Sequence, residues 1–135
     1  MAGMPFMWAE AKRHFFDRRG LERLMRRQTL RALSKWGAFV RHRAREMVRK
    51  KKRSAPGQPP ASPTGLYRDS IFFALDPDSL AVVAGPVRFS RSKTPPVPEI
   101  LEHGGYVNTR DGRGAYIDPR PHMQPAADEV NDQLE

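Results

Sequence analysis

"LERLMRRQTLRALSKWGAFVRHRAREMVR", residues 21–49, holds no proline and repeats its apolar residues at helical spacing. Met25, Ala32, Leu33, Trp36, Val40, Ala44 and Met47 recur mostly every three or four positions, which at about 100° per residue gathers them into one stripe. The face on the far side holds Arg23, Arg27, Arg31, Arg41, Arg45 and Arg49. One long amphipathic helix is predicted, spanning 20–53 once the following basic run is included, and the remaining chain has to fold against its apolar stripe.

Like charges four residues apart oppose a helix by about 0.2–0.5 kcal/mol per pair. The arginine rows therefore need a setting, and three are open: screening by solvent and salt, an acidic protein neighbour, or nucleic acid. "RKKKR" (49–53) carries the charge beyond the apolar stripe; such a run marks either a frayed helix end or a basic patch. Upstream, "RHFFDR" (13–18) reads as a short strand that closes an N-terminal arm, 1–19, and leads into the helix.

Downstream, "SAPGQPPASPTG" (54–65) can be neither helix nor central strand and forms a proline-rich connector. "DSIFFALD" (69–76) alternates, with Ile71, Phe73 and Leu75 on one face. "PDS" turns the chain and "LAVVAGP" (80–86) returns it, which predicts a hairpin. A second proline-bearing loop covers 87–98, and "PEILEHGG" (98–105) is a helical turn stopped by its glycines. "YVNTRDGRGAYID" (106–118) is a second hairpin with Asp111-Gly112 at its tip. In the closing segment, 119–135, Pro125 suits a first helical turn and Ala126, Val130 and Leu134 suit its buried stripe. The expected fold is one α+β domain: a long N-terminal helix packed on a small twisted antiparallel sheet within 66–118, with a short C-terminal helix.

Charge divides the chain unequally. Of the net +9 over 135 residues, residues 1–53 hold +13 and residues 54–135 hold −4. Such a split suits a polyanion partner or the head-to-tail stacking of copies. The absence of cysteine removes disulfides and thiolate metal sites, so packing or neighbours must hold the fold. No apolar run nears the roughly 20 residues that cross a bilayer, and the N-terminus lacks a signal-peptide pattern; neither secretion nor membrane insertion is expected.

The four histidines (14, 42, 103, 122) make no metal-ligand spacing. Glu99, Glu102 and His103 share one turn, which reads as a metal or acid/base site or, more simply, as a polar turn at a subunit edge. No phosphate-binding glycine loop and no G-x-S-x-G elbow occurs, so no enzyme, cofactor or small-molecule substrate is expected.

Several short blocks then stand in a fixed order: "SAP" (54–56), "TGLYRDSI" (64–71), "VVAGP" (82–86), "ILEHGG" (100–105) and "RPHMQPA" (120–126). Together, over roughly residues 13–132, they resemble the minor tail component family of tailed bacteriophages, the head–tail joining or tail-completion proteins. The resemblance implies a virion protein of the neck or upper tail, assembled in the host cytoplasm, that closes into a ring of its own copies, sixfold by the symmetry of tails, beside other neck and tail proteins. Contact with packaged DNA would be incidental. Two features depart from the family pattern: the connector is longer, and His122 stands in place of phenylalanine.

Within that frame the two proline-bearing segments, with Pro56, Pro59, Pro60 and Pro63 in one and Arg88, Arg91, Lys93, Pro95 and Pro96 in the other, are either docking arms or stiff connectors. Asp76, Asp78, Glu99, Glu102, Asp128, Glu129 and Asp132 form the expected acidic counter-surface for the basic helix of the next copy. The alternative is a basic nucleic-acid-binding module, although no recognition motif accompanies the arginines. Charge alone suggests a third reading, a toxin-like or regulatory prophage product.

Overall fold

The computed structural model describes residues 17–87, 97–109 and 111–134. Helix α1 spans Arg18–Met47 and begins where the Asp17 carboxylate accepts a hydrogen bond from the Gly20 N–H at 2.9 Å. That bond satisfies one of the donors a first helical turn leaves free. Most of the expected strand over 13–18 lies outside the described residues; Asp17 and Arg18 begin the helix instead.

The helix stops before residue 53. Val48 turns extended (φ −81°, ψ 92°) and is fully buried, and the Arg49 carbonyl accepts a hydrogen bond from the Ser62 N–H at 3.0 Å. Helix through Lys50–Arg53 would stack like charges with no apolar side chain to bury, whereas leaving it after Met47 puts Val48 into the core.

A single turn, α2 (Leu66–Asp69), precedes β1 (Ile71–Asp76), which pairs antiparallel with β2 (Ala81–Pro86) from Ile71↔Pro86 to Asp76↔Ala81. Helix α3 (Val97–His103) ends at Gly104, whose φ of +77° is the left-handed stop expected of the glycine pair. Strands β3 (Gly105–Asn108) and β4 (Gly114–Ile117) make the second hairpin, and α4 (Met123–Asp132) follows.

The hairpins form two separate two-stranded sheets, not the single sheet expected. Arg45 takes the first carbonyl of β1, donating to Ile71 (3.1 Å) and, just before the strand, to Asp69 (2.9 Å).

Helix α1 is the axis of the molecule, with β1–β2 along one flank and α4 along another. Val40, Ala44 and Val48 from α1 and its end meet Ile71 from β1 and Ala126 and Val130 from α4, edged by Trp36, Met47, Tyr67 and Met123. Each fully buried valine or isoleucine contributes about 1.5–3 kcal/mol. Strand β1 runs antiparallel to α1, since Ile71 lies beside Arg45 and Pro77 beside Arg26. Close approach is possible because residue 37 is glycine: a Cβ there would sit 2.6 Å from the Phe73 ring and 2.8 Å from a Val82 methyl.

The stripe is only half used. A 30-residue helix is about 45 Å long, while a six-residue strand spans about 20 Å and a ten-residue helix about 15 Å. Met25 and Ala32, expected in the core, are therefore exposed, as are Leu21 and Leu24. Leu134 is exposed as well, in the turn that follows the end of α4 at Asp132.

Candidate interaction surfaces

The arginine rows divide into two environments. Arg23, Arg27 and Arg31 stand exposed on the N-terminal half of α1, and Arg49 is exposed past its end. Arg41 and Arg45 instead reach the ring of Phe72, each guanidinium carbon 5.4 Å from its centroid. Positions four apart drift by about 40° around a helix, so Arg41 and Arg45 flank the core stripe and do not oppose it. Burial first, then the charge of Arg41, lowers the pKa of Arg45. These two arginines cover a strand edge and its aromatic, and are not on a free basic face.

Most of the acidic residues also have partners inside the chain. Asp76 accepts hydrogen bonds from the Ser79 hydroxyl and from the N–H groups of Asp78 and Ser79, which hold its pKa below the ordinary value. Asp78 lies 3.7 Å from Arg26, and Asp128 accepts from the Gln124 amide at 2.8 Å. Glu129 pairs with Arg43 through both oxygens; the hydrogen bond and the opposite charge lower the carboxyl pKa and raise that of the guanidinium. Glu99 and Asp132 are exposed with no ion pair to any described residue. The acids thus belong to the β1–β2 turn, α3 and α4, and five of the seven are engaged within the chain.

Glu102 is the most engaged of them. From α3 it accepts the N–H groups of His122 (3.0 Å), Met123 (3.1 Å) and Gln124 (3.0 Å), capping α4, whose own N-cap side chain does not. Pro125 has no N–H, so this carboxylate serves every free donor of that first turn. The same carboxylate faces His122 Nδ1 at 2.9 Å; Nδ1 also faces the Arg120 carbonyl at 3.1 Å. Both neighbours are acceptors, which assigns the hydrogen to Nδ1 and leaves Nε2 to accept the Tyr67 O–H at 2.8 Å. Burial alone would push the Glu102 carboxyl up; the bonds from His122 and the three N–H groups outweigh it and hold it at about 2. Burial, then the Glu102 charge, raises the Tyr67 phenol.

Arg120 extends this clasp to the connector, donating to the Ser54 carbonyl at 2.6 Å, while the Gly57 N–H binds the Pro119 carbonyl at 3.1 Å. Ser62 and Pro60 are buried and Pro59 half-buried. The segment 54–65 is therefore pinned to its own body and is not an outstretched arm; only Pro56 and Pro63 of its marked prolines are exposed. Arg88, Arg91, Lys93, Pro95 and Pro96 lie outside the described residues. Against the connector opens a cleft of about 450 Å³ with Arg49, Lys51, Ser54, Pro59 and Pro121 in its walls. Among the described residues no group of three or more His, Asp or Glu side chains could hold a metal. No described helix is long and apolar enough to cross a membrane.

Arg26, Arg43, Tyr67 and Arg120 hold the fold together without a signal in local sequence, since each partner lies 51 to 86 residues away. His122 is marked only by standing where the family resemblance puts phenylalanine. Comparison with family models, curated proteins and solved structures gave no match.

Proposed function

We propose that this chain is a non-enzymatic structural protein of a tailed bacteriophage that closes with its own copies into a ring at the head–tail junction or the upper end of the tail. The observation that carries the reading is the exposure of apolar side chains on the N-terminal half of α1. Leu21, Leu24 and Met25 are 47%, 52% and 61% exposed there, among Arg23, Arg27 and Arg31. A body of this size that leaves an apolar, basic helix unburied is built to be covered by something else. Ring contacts are heterologous, so unlike surfaces must meet; the exposed carboxylates of Glu99, Asp128 and Asp132 on a neighbouring copy complement the row of Arg23, Arg27 and Arg31, on the side of the helix away from Leu33 and Trp36.

Reversing the charge in Arg27→Glu with Arg31→Glu tests the reading in the phage or prophage that carries the gene. Electron microscopy of the induced lysate should then show packaged heads beside detached or abnormally ended tails, as in a gene deletion. Normal numbers of joined, infectious particles from both strains would refute it.

A second reading, a nucleic-acid-binding module, is favoured by one observation: Arg49 to Arg53 are all exposed in irregular chain beyond the helix. Filter binding to duplex DNA across salt separates the two. A dedicated binder keeps substantial affinity at physiological ionic strength and loses it steeply with added salt.

A further inference from the structure

We infer that the N-terminal half of α1, with the groove at its junction with β2 and the end of α4, is a docking site for an acidic amphipathic helix of another polypeptide. The groove has a volume of about 640 Å³ and is lined by Thr29, Ala32, Leu33, Trp36, Val82 and Leu134. Its floor is therefore almost wholly apolar. It lies where α4 runs out along α1: Trp36 Nε1 donates to Asn131 in the last turn of α4 at 2.8 Å, and Leu134 closes the end. N-terminal to that point the same side of α1 continues through Met25 and Leu21 with nothing on it among the described residues.

Charge identifies the occupant. Residues 18–36 hold seven basic side chains and one acidic one, Glu22. Lys35 stands exposed on the Ala32 side of the stripe and forms no ion pair with any described residue. The chain already shows what suits this helix further along: α4 places Ala126 and Val130 on Val40 and Ala44 while Glu129 pairs with Arg43 beside them. A helix with apolar residues at i, i+4 spacing and carboxylates at its margins repeats that arrangement one step towards the N-terminus. Nucleic acid fits less well, because phosphates would face an apolar floor. The inference holds whether or not the chain belongs to a virion.

Trp36 supplies the reporter. The chain has two tryptophans, so Trp8→Phe leaves Trp36 as the sole emitter. The probe is a synthetic peptide of leucine, alanine and glutamate with leucines at helical spacing, and its control replaces every glutamate by lysine. Saturable change in Trp36 emission with the acidic peptide alone, weakened about tenfold or more by Ala32→Glu and by Lys35→Glu, supports the site. Both variants alter exposed residues, and the second leaves the groove floor intact if the first perturbs folding. Absence of saturation, equal binding of the lysine peptide, or binding indifferent to both variants overturns it. So does an equal Trp36 response to duplex DNA, or sedimentation showing self-association that Ala32→Glu abolishes, which would make the occupant nucleic acid or a second copy.

Discussion

The Tyr67 hydroxyl and His122 Nε2, 55 residues apart in the chain, meet at 2.8 Å beneath the start of α4. Around this pair four of the blocks that stand in order along the sequence converge. Tyr67 belongs to "TGLYRDSI", Glu102 to "ILEHGG", His122 and Arg120 to "RPHMQPA", and Ser54 to "SAP". Their spacing thus corresponds to one polar clasp that ties the connector, α2, α3 and α4 to the end of α1. Their shared chemistry is structural.

Glu102 makes the clasp sensitive to acid. Its carboxyl, held at about 2 against an ordinary 4.5, contributes stability that is complete above pH 4.5 and is lost as pH falls towards 2. Urea midpoints measured through that range should fall, and Glu102→Gln should flatten the fall while removing about 2 kcal/mol at pH 7. An unchanged acid slope in Glu102→Gln would place the sensitivity elsewhere.

Replacing His122 by phenylalanine, the residue the family resemblance leads one to expect, strips Tyr67 and Glu102 of their ring partner. His122→Phe should cost about 1–3 kcal/mol, and adding Tyr67→Phe should recover part of it by removing the orphaned hydroxyl. A double-mutant cycle by urea unfolding measures the coupling. Strict additivity would deny the interaction.

Gly37→Ala tests the approach of α1 to the hairpin. Alanine favours helix by about 1 kcal/mol over glycine, yet its Cβ would meet Phe73 at 2.6 Å and Val82 at 2.8 Å. Overpacking should win, with a net loss of about 1–2 kcal/mol and a lower melting temperature. A stabilised variant would mean that the hairpin yields.

Leu80 closes the β1–β2 turn with φ at +51°, a conformation that costs a side chain other than glycine or asparagine about 1 kcal/mol. Since Leu80 is also partly exposed, Leu80→Asn should raise the melting temperature by a few degrees. A lowered value would show that its apolar contacts outweigh the strain.

The period of three and four over 21–49 was enough to read α1, and alternation with turn residues was enough to read both hairpins, because those signals are local. How far the stripe is covered depends on partner lengths, so the exposure of Met25 and Ala32 was hidden. The end at Met47 was hidden too, since it depends on Val48 finding a core that α4 completes. Arg41 and Arg45 looked free because a wheel counts faces but not the strand edge within reach of a long side chain. The clasp was legible only as blocks in order; its contacts span 20 residues from Glu102 to His122, 55 to Tyr67 and 66 from Arg120 to Ser54.

The core joins Val40 and Ala44 to Ala126 and Val130, so a newly made chain has its axis long before the helix that seals it. Through that interval α1 presents, along its whole length, the apolar face that it later keeps only near its start. Closing so long a loop is slow compared with forming either hairpin. The order of synthesis therefore sets a window in which the protein is open to capture by chaperones or by its own kind, and the arrival of α4 is the event that ends it.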